Sequence, residues 1–294
     1  MPMFSLSPRV IASIAATWFV WGSTYLVIKF ALIGFPPFFL MGTRFVLAGI
    51  LLFAFSLWRG GQLPSVKEWV SATVIGTLML GGGMGATAYA ELTIGSGLVV
   101  AFIAISPLLI TLANLPFGVK PKPLELVGIG LGMIGVLLLT QGASYRSSWS
   151  GLLAICIGCV GWTLGTVLSQ RSLPLAPGTM GFASEMICGG IVLLCLSALA
   201  GEPWALNVPI GAWVAWTYLV VFGSLIAFNA YMYLISKVSS GIASSYTFVN
   251  PLIALGLGVT FGQERITSAE WRAVMVIFAG LVLLLFARRT RQLS

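Results

Sequence analysis

The chain has 294 residues, of which 59% are hydrophobic and 7% charged, with a formal net charge of +8 and no histidine. Soluble domains carry about a quarter of their residues charged, so this composition excludes a soluble class and leaves an all-α integral membrane protein. Most basic residues stand singly between apolar runs, a pattern of membrane topology signals rather than of a nucleic-acid-binding face.

At roughly 20 residues per crossing, the chain has room for about ten spans. The first apolar run, Val10 to Ile33, is preceded by Arg9 and is too long for the apolar core of a cleaved signal, so it is expected to remain as span 1. The others are expected at 37–58, 69–92, 95–117, 123–141, 150–171, 178–200, 211–235, 240–262 and 270–287. Turn residues and charge separate them, as in Gly34-Phe-Pro-Pro37 and Lys120-Pro-Lys-Pro123. No separator is long enough for a soluble domain, which confines any chemistry to the membrane and its surfaces. With the N-terminus in the cytoplasm, ten basic residues fall on the inner side. Four (Lys29, Arg146, Arg265, Arg272) fall outside and Arg44 lies within span 2. That bias predicts cytoplasmic N- and C-termini.

An internal repeat runs through these spans. Tyr89, Ser96, Gly97, Pro107 and Leu108 recur 144 residues later as Tyr233, Ser240, Gly241, Pro251 and Leu252. Phe19-Val-Trp-Gly-Ser in span 1 answers Trp162-Thr-Leu-Gly-Thr in span 6, and Gly135-Val-Leu-Leu-Leu answers Gly280-Leu-Val-Leu-Leu. Each half, 1–147 and 148–294, thus holds five spans. Because five is odd, the second copy enters from the opposite side, which gives two inverted repeats. Pro107 and Pro251 are read as helix-breaking: proline removes an intrahelical hydrogen bond and crowds the preceding turn. Paired kinks in two inverted halves point to a transporter with its site at the kinks.

Trp21-Gly-Ser-Thr-Tyr25, Gly42-Thr-Arg-Phe45 with Ala48-Gly49, and Asn250-Pro251 followed by Gly262-Gln-Glu264 resemble the EamA-type family of the drug/metabolite transporter superfamily. Ala227-Phe-Asn-Ala-Tyr-Met-Tyr-Leu234 is similar to a group of bacterial inner-membrane transporters that includes amino-acid exporters. The resemblance implies ten helices in two inverted repeats, efflux of small metabolites and location in the cytoplasmic membrane. Its members carry amino acids, sugars, nucleotide sugars and drugs, so the solute stays open.

Side chains narrow the site. Seven tryptophans fall near span ends, as an interfacial belt has them. Trp18, Trp21 and Trp162 lie mid-span, where an indole N–H needs a partner that lipid does not offer. Trp18, Trp21 and Tyr25 share one helix face by spacing. Two readings stay open for them: a helix–helix contact with each N–H on a neighbouring carbonyl, or an aromatic wall around a cavity. Ser106 and Asn250 flank the prolines, Asn229 lies in span 8, and Ser245 and Tyr246 belong to a polar cluster on span 9. Tyr89, the repeat mate of Tyr233, is placed with them. Charges inside spans default to function. Arg44 and Glu185 are aligned by the repeat, but each lies about 10 Å into its helix from opposite surfaces, too far apart to pair. Arg44 is expected to face an outer vestibule and attract a carboxylate, while Glu91 and Lys29 are expected to reach water at span ends.

Absences shape the function. With no histidine and no aspartate there is little material for a membrane enzyme, and span 1 lacks the glutamate on which small multidrug antiporters depend. Cys156 and Cys159 form a CxxC, yet packing is the expected role of all four cysteines, and neither a metal nor a cofactor is implied. The expectation is an exporter of small metabolites, amino acids and aromatic ones first, working by alternating access as a monomer among membrane lipids. The alternatives are a transporter of drugs or sugar-like solutes and, from another class, a membrane scaffold.

Overall fold

The computed structural model describes residues 7–118, 121, 123–142, 148–204, 207–238 and 246–292, and every regular element among them is helical. Helix α1 covers Pro8–Ala31, with a π-helical stretch at Ala16–Val20. Ser7 opens it by accepting the Val10 N–H at 3.4 Å, and Pro8 in the first turn brings no N–H to leave unpaired. Helix α2 is Pro37–Trp58, and its orphan N–H groups at Phe38 and Phe39 donate to the Glu202 carboxylate at 3.1 and 2.8 Å. Helix α3, Val66–Ala90, starts on a capping box between Ser65 and Glu68 and carries a second π-helical stretch, Thr77–Gly85.

Helix α4, Ser96–Phe117, is interrupted. Its first part ends at Ile103, Ala104 and Ile105 form a turn, and helix resumes at Ser106 with Pro107 in the new first turn. Around the break the bonds tighten, with Ile105 N–H on Phe102 O at 3.2 Å and Leu108 N–H on Ile105 O at 2.8 Å. Next come α5 (Pro123–Thr140), α6 (Trp149–Arg171) and α7 (Thr179–Leu199). Helix α8 continues through Ile210–Tyr218, a π-helical Leu219–Ile226 and Ala227–Lys237. Helices α9 (Tyr246–Thr260) and α10 (Ser268–Gln292) complete the order. Helices α1, α2, α3, α4, α6, α7 and α8 are long and apolar enough to cross a membrane, and α5 and α9 contain shorter apolar helices.

The expected kinks differ. Pro107 stands at a break, whereas α9 is helical on both sides of Pro251, which lies inside it. Pro251 therefore does not break its helix. The polar side chain beside it accounts for the difference, as described below.

Small residues set the closest helix contacts. A Cβ added at Gly49 of α2 would stand 3.0 Å from Ala183 O and 2.9 Å from Ile187 N of α7; one at Gly190 would meet Gly42 O at 3.1 Å and Val46 N at 2.8 Å. Shifting numbers by 141 residues exchanges these two contacts. The α5–α10 pair behaves alike at a shift of 145 residues. Gly135 faces Ala273 O and Ile277 N at 3.0 and 2.7 Å, and Gly280 faces Gly128 O and Gly132 N at 2.5 and 2.6 Å. In an apolar solvent, helices associate through such close backbone packing, which any side chain at these positions would block.

Two apolar clusters flank the middle of the bundle. One is built on α4, α5, α6 and α10 around Phe102, Leu108, Ile155 and Ile277; the other on α1, α2, α7 and α8 around Ile28, Phe45, Met186 and Leu219.

Candidate transport cavity

Helices α1, α3, α4, α6 and α9 enclose a cavity of about 90 Å³. Tyr25 faces it from α1, Gly83, Met84 and Thr87 from α3, and Val100, Ile103, Ala104 and Ser106 from α4. Gly158, Cys159 and Trp162 of α6 and Tyr246, Asn250 and Pro251 of α9 complete the wall. The α4 break delivers Ser106 to the wall, where its buried hydroxyl has no neighbour among the described residues to bond but the weak Cys159 thiol beside it. A buried hydroxyl beside only a weak thiol keeps bonding capacity for a group in the space before it. Asn250 is satisfied instead: oriented to suit its neighbours, its amide nitrogen donates to Trp18 O at 2.9 Å and Tyr246 O at 3.1 Å. It thereby ties α9 to the π-helical turn of α1 and reinforces the turn that precedes Pro251.

Of the residues singled out in the sequence, Tyr25, Ser106, Trp162, Tyr246 and Asn250 meet at this cavity. Trp21 stands behind it. Its ring packs on Tyr246 (4.7 Å between centroids), Phe228 and Tyr231, and its N–H donates to Gly223 O at 3.1 Å. For Trp21 the helix-contact reading therefore holds, and the π-helical stretch of α8 supplies the carbonyl. Trp18 is half-buried and touches the site through its backbone carbonyl. Ser245 lies outside the described residues.

Three expectations are corrected. Arg44 faces no vestibule: it is 2% exposed, donates to Ser224 Oγ at 3.0 Å, lies over the Phe45 ring and is wedged beside Gly223 of α8. Tyr89 is 37% exposed, stacked on Phe38 away from the cavity. Asn229 points outward and bonds its own helix at Leu225 O, at 2.6 Å. Conversely, Thr87, Met84 and Gly83 were passed over. The i, i+4 spacing of Gly83 and Thr87 was the available signal, and the run Gly81-Gly-Gly-Met-Gly85 around it also packs closely. A Cβ at Gly158 would stand 3.2 Å from Gly83 O, and one at Gly161 3.3 Å from Gly83 N.

Glu91 also departs from expectation, whereas Lys29 reaches water with a third of its side chain exposed. Lys29 Nζ pairs with Glu264 Oε1 at 2.9 Å, the ion pair found among the described residues. Glu264 further accepts from Ser96 N–H (2.6 Å), Ser96 Oγ (2.7 Å) and Gly97 N–H (3.0 Å), capping α4. Burial acts to raise the Glu264 carboxyl, but the bonds from Lys29, Gly97 and Ser96 prevail and hold it below the ordinary carboxylate value. Glu91 is 4% exposed, with both carboxyl oxygens buried and unpartnered among the described residues.

Residues 9–141 and again 149–286 match the EamA-like transporter family. The chain is 40% identical over 269 residues to the uncharacterized inner membrane transporter YedA of Escherichia coli, covering 91% of this chain and 88% of that one. Protein PecM of Dickeya dadantii is 28% identical over 281 residues, 92% of each chain. An S-adenosylmethionine/S-adenosylhomocysteine transporter of Chlamydia trachomatis is 26% identical over 272 residues, 82% of this chain and 78% of that one. A solved crystal structure superposes with a TM-score of 0.66 at 23% identity, over 97% of this chain and all of the other, a likeness of fold. A bundle of membrane-length helices around a polar-spotted cavity, matched twice along one chain, makes this protein a membrane transporter of the EamA-like family.

Proposed function

We propose that the protein exports small metabolites across the bacterial inner membrane by alternating access, with aromatic amino acids as the preferred solutes. The observation that carries this reading is the cavity itself. Tyr25, Trp162 and Tyr246 offer ring faces, and the Ser106 hydroxyl offers a hydrogen bond at the α4 break. Ten spans in two inverted five-helix repeats, 1–147 and 148–294, with both termini cytoplasmic, are the architecture of this reading. The reciprocal glycine contacts of α2 with α7 and of α5 with α10 support it, because a two-fold axis exchanges contacts in this way. Each protomer encloses its own cavity, so the working unit is taken as the monomer in lipid. Inner-membrane residence follows the printed description of YedA.

The test is export from liposomes holding purified protein, comparing tryptophan with threonine in the parent and in Trp162→Ala. A ring contact is worth about 0.5–1.5 kcal/mol, so tryptophan transport should fall about two- to tenfold and threonine less. Equal loss for both solutes removes ring stacking as the source of preference. The Chlamydia relative supports a second reading, in which the ring belongs to a purine joined to an amino acid. Adding S-adenosylmethionine to the panel decides between them.

A further inference from the structure

Three cavity-lining faces share a feature at the end where α1 and α3 finish and α4 begins. On α1, Lys29 stands one turn beyond Tyr25; on α3, Glu91 stands one turn beyond Thr87; on α4, Ser96 stands one turn before Val100. Glu264 closes this layer by holding Lys29, Ser96 and Gly97 at once. Its carboxylate sits in a cradle that glycines leave free, since a Cβ at Gly258 or Gly95 would stand 2.5 or 2.9 Å from Oε2. One ammonium, a third exposed at the rim, is thus held by Glu264, while a second carboxylate, Glu91, is buried in the same layer. Glu264 has its full set of donors, and Glu91 has none among the described residues.

We propose that Glu91 is a proton-binding site that controls this end of the cavity and couples transport to protons. With Glu91 protonated, Lys29 belongs to Glu264 and α1, α4 and the 261–267 connection are latched together. When the proton leaves, a second buried carboxylate competes for Lys29, and the latch loosens. In the proposed orientation this end is the outer one. A proton from outer water then binds Glu91 after the solute has left, the end closes, and the proton departs to the cytoplasm, one inward for each solute outward. The charged and titratable groups whose charges act on Glu91 are Lys29 and Tyr25 of α1 and Glu264 of the connection before α10. The inference rests on transport as such and on no identity of solute.

The experiment reads the latch without a solute. With Cys156, Cys159, Cys188 and Cys195 replaced, a Thr87→Cys protein in liposomes is labelled from this end with a charged, membrane-impermeant thiol reagent. Labelling rates in the otherwise unaltered protein are divided by those with Glu91→Gln added, which cancels the titration of the new thiol. The ratio is expected to rise about tenfold per pH unit until Glu91 is ionised. Glu264→Gln should label rapidly at every pH. A ratio that stays flat from about pH 6 to about pH 9 overturns the proposal. So does a ratio that follows the replacement of choline by sodium at fixed pH, which assigns the site to a metal cation. If Glu91→Gln does not accumulate, infrared titration in a Glu185→Gln background, which removes the carboxyl buried within α7, reads the same group: a protonated-carboxyl band must vanish over that pH course, and its absence is equally decisive. A solute panel without amino-acid transport would leave these readings untouched.

Discussion

In α4 the helix stops at Ile103, turns through Ala104 and Ile105, and starts again at Ser106; in α9 it runs from Tyr246 to Thr260 with Pro251 inside. The two stretches are repeat mates with prolines at matching positions, yet one breaks and the other does not. The neighbouring side chain separates them. Ser106 gives the backbone nothing, so the chain takes the arrangement in which a proline is free of conflict, the first turn of a new helix. Asn250 holds the carbonyls of Tyr246 and Trp18, fastening the turn before Pro251 both to itself and to α1. One break therefore leaves a polar group facing the cavity, and the other proline is absorbed into a strut. Proline sets where regular bonding fails, and the residue before it decides whether the helix survives.

The largest effect is expected at the strut. Asn250→Ala leaves two carbonyls without their side-chain donor, and such losses cost about 1–3 kcal/mol in buried surroundings. Thermal unfolding in detergent should show a drop of several degrees, and a helix content preserved at full stability would break the comparison. Next comes the start of α4, where Glu264 does for a helix N-terminus what Asn250 does for a proline. Its carboxyl titrates below the ordinary value of 4.5, so its contribution is full above that value and is lost as pH falls through the lower folded one. Partly buried charges at helix ends contribute up to about 2 kcal/mol. Stability should therefore decline in acid, and the decline should be smaller in Glu264→Gln. An unchanged acid profile in that variant would remove Glu264 as the cause. The smallest effect on stability is expected at Ser106→Ala, about 0.5 kcal/mol or less in either direction, because only a weak contact with the Cys159 thiol is lost. Its transport should nevertheless fall, since the hydroxyl faces the space the solute is proposed to occupy. Equal stability loss at Ser106 and Asn250 would erase the distinction between break and strut.

Depth along a helix was legible in the chain, and direction around it was not. The expected spans agree closely with the helices, as 37–58 does with Pro37–Trp58 and 150–171 does with Trp149–Arg171, because apolar run length sets where a membrane helix starts and stops. The reciprocal glycine contacts appear in the sequence as the pair Gly135 and Gly280. Direction failed at Tyr89, Asn229 and Arg44. All three lie on helices that are apolar nearly all round, where no amphipathic stripe marks an inner face. Where a second restraint existed, the reading improved: Ser106 and Asn250 were picked out by adjacent prolines and Trp162 by its depth within its span, and all three line the cavity.

What the sequence by itself determined was therefore one-dimensional: the membrane class, the helical segments, the internal repeat and the family. Hydrophobicity, turn residues and identity at fixed offsets are properties of the chain as written. Only the tertiary structure decided that α4 breaks while α9 continues, that Trp21 hangs its N–H on Gly223, and that Glu264 reaches back 168 residues to Ser96. It also decided that Glu91, two residues from a polar connection, is sealed from water. These are matters of which polar group finds a partner across helices, and in a low-dielectric bundle that pairing is set by packing rather than by any local preference of the chain.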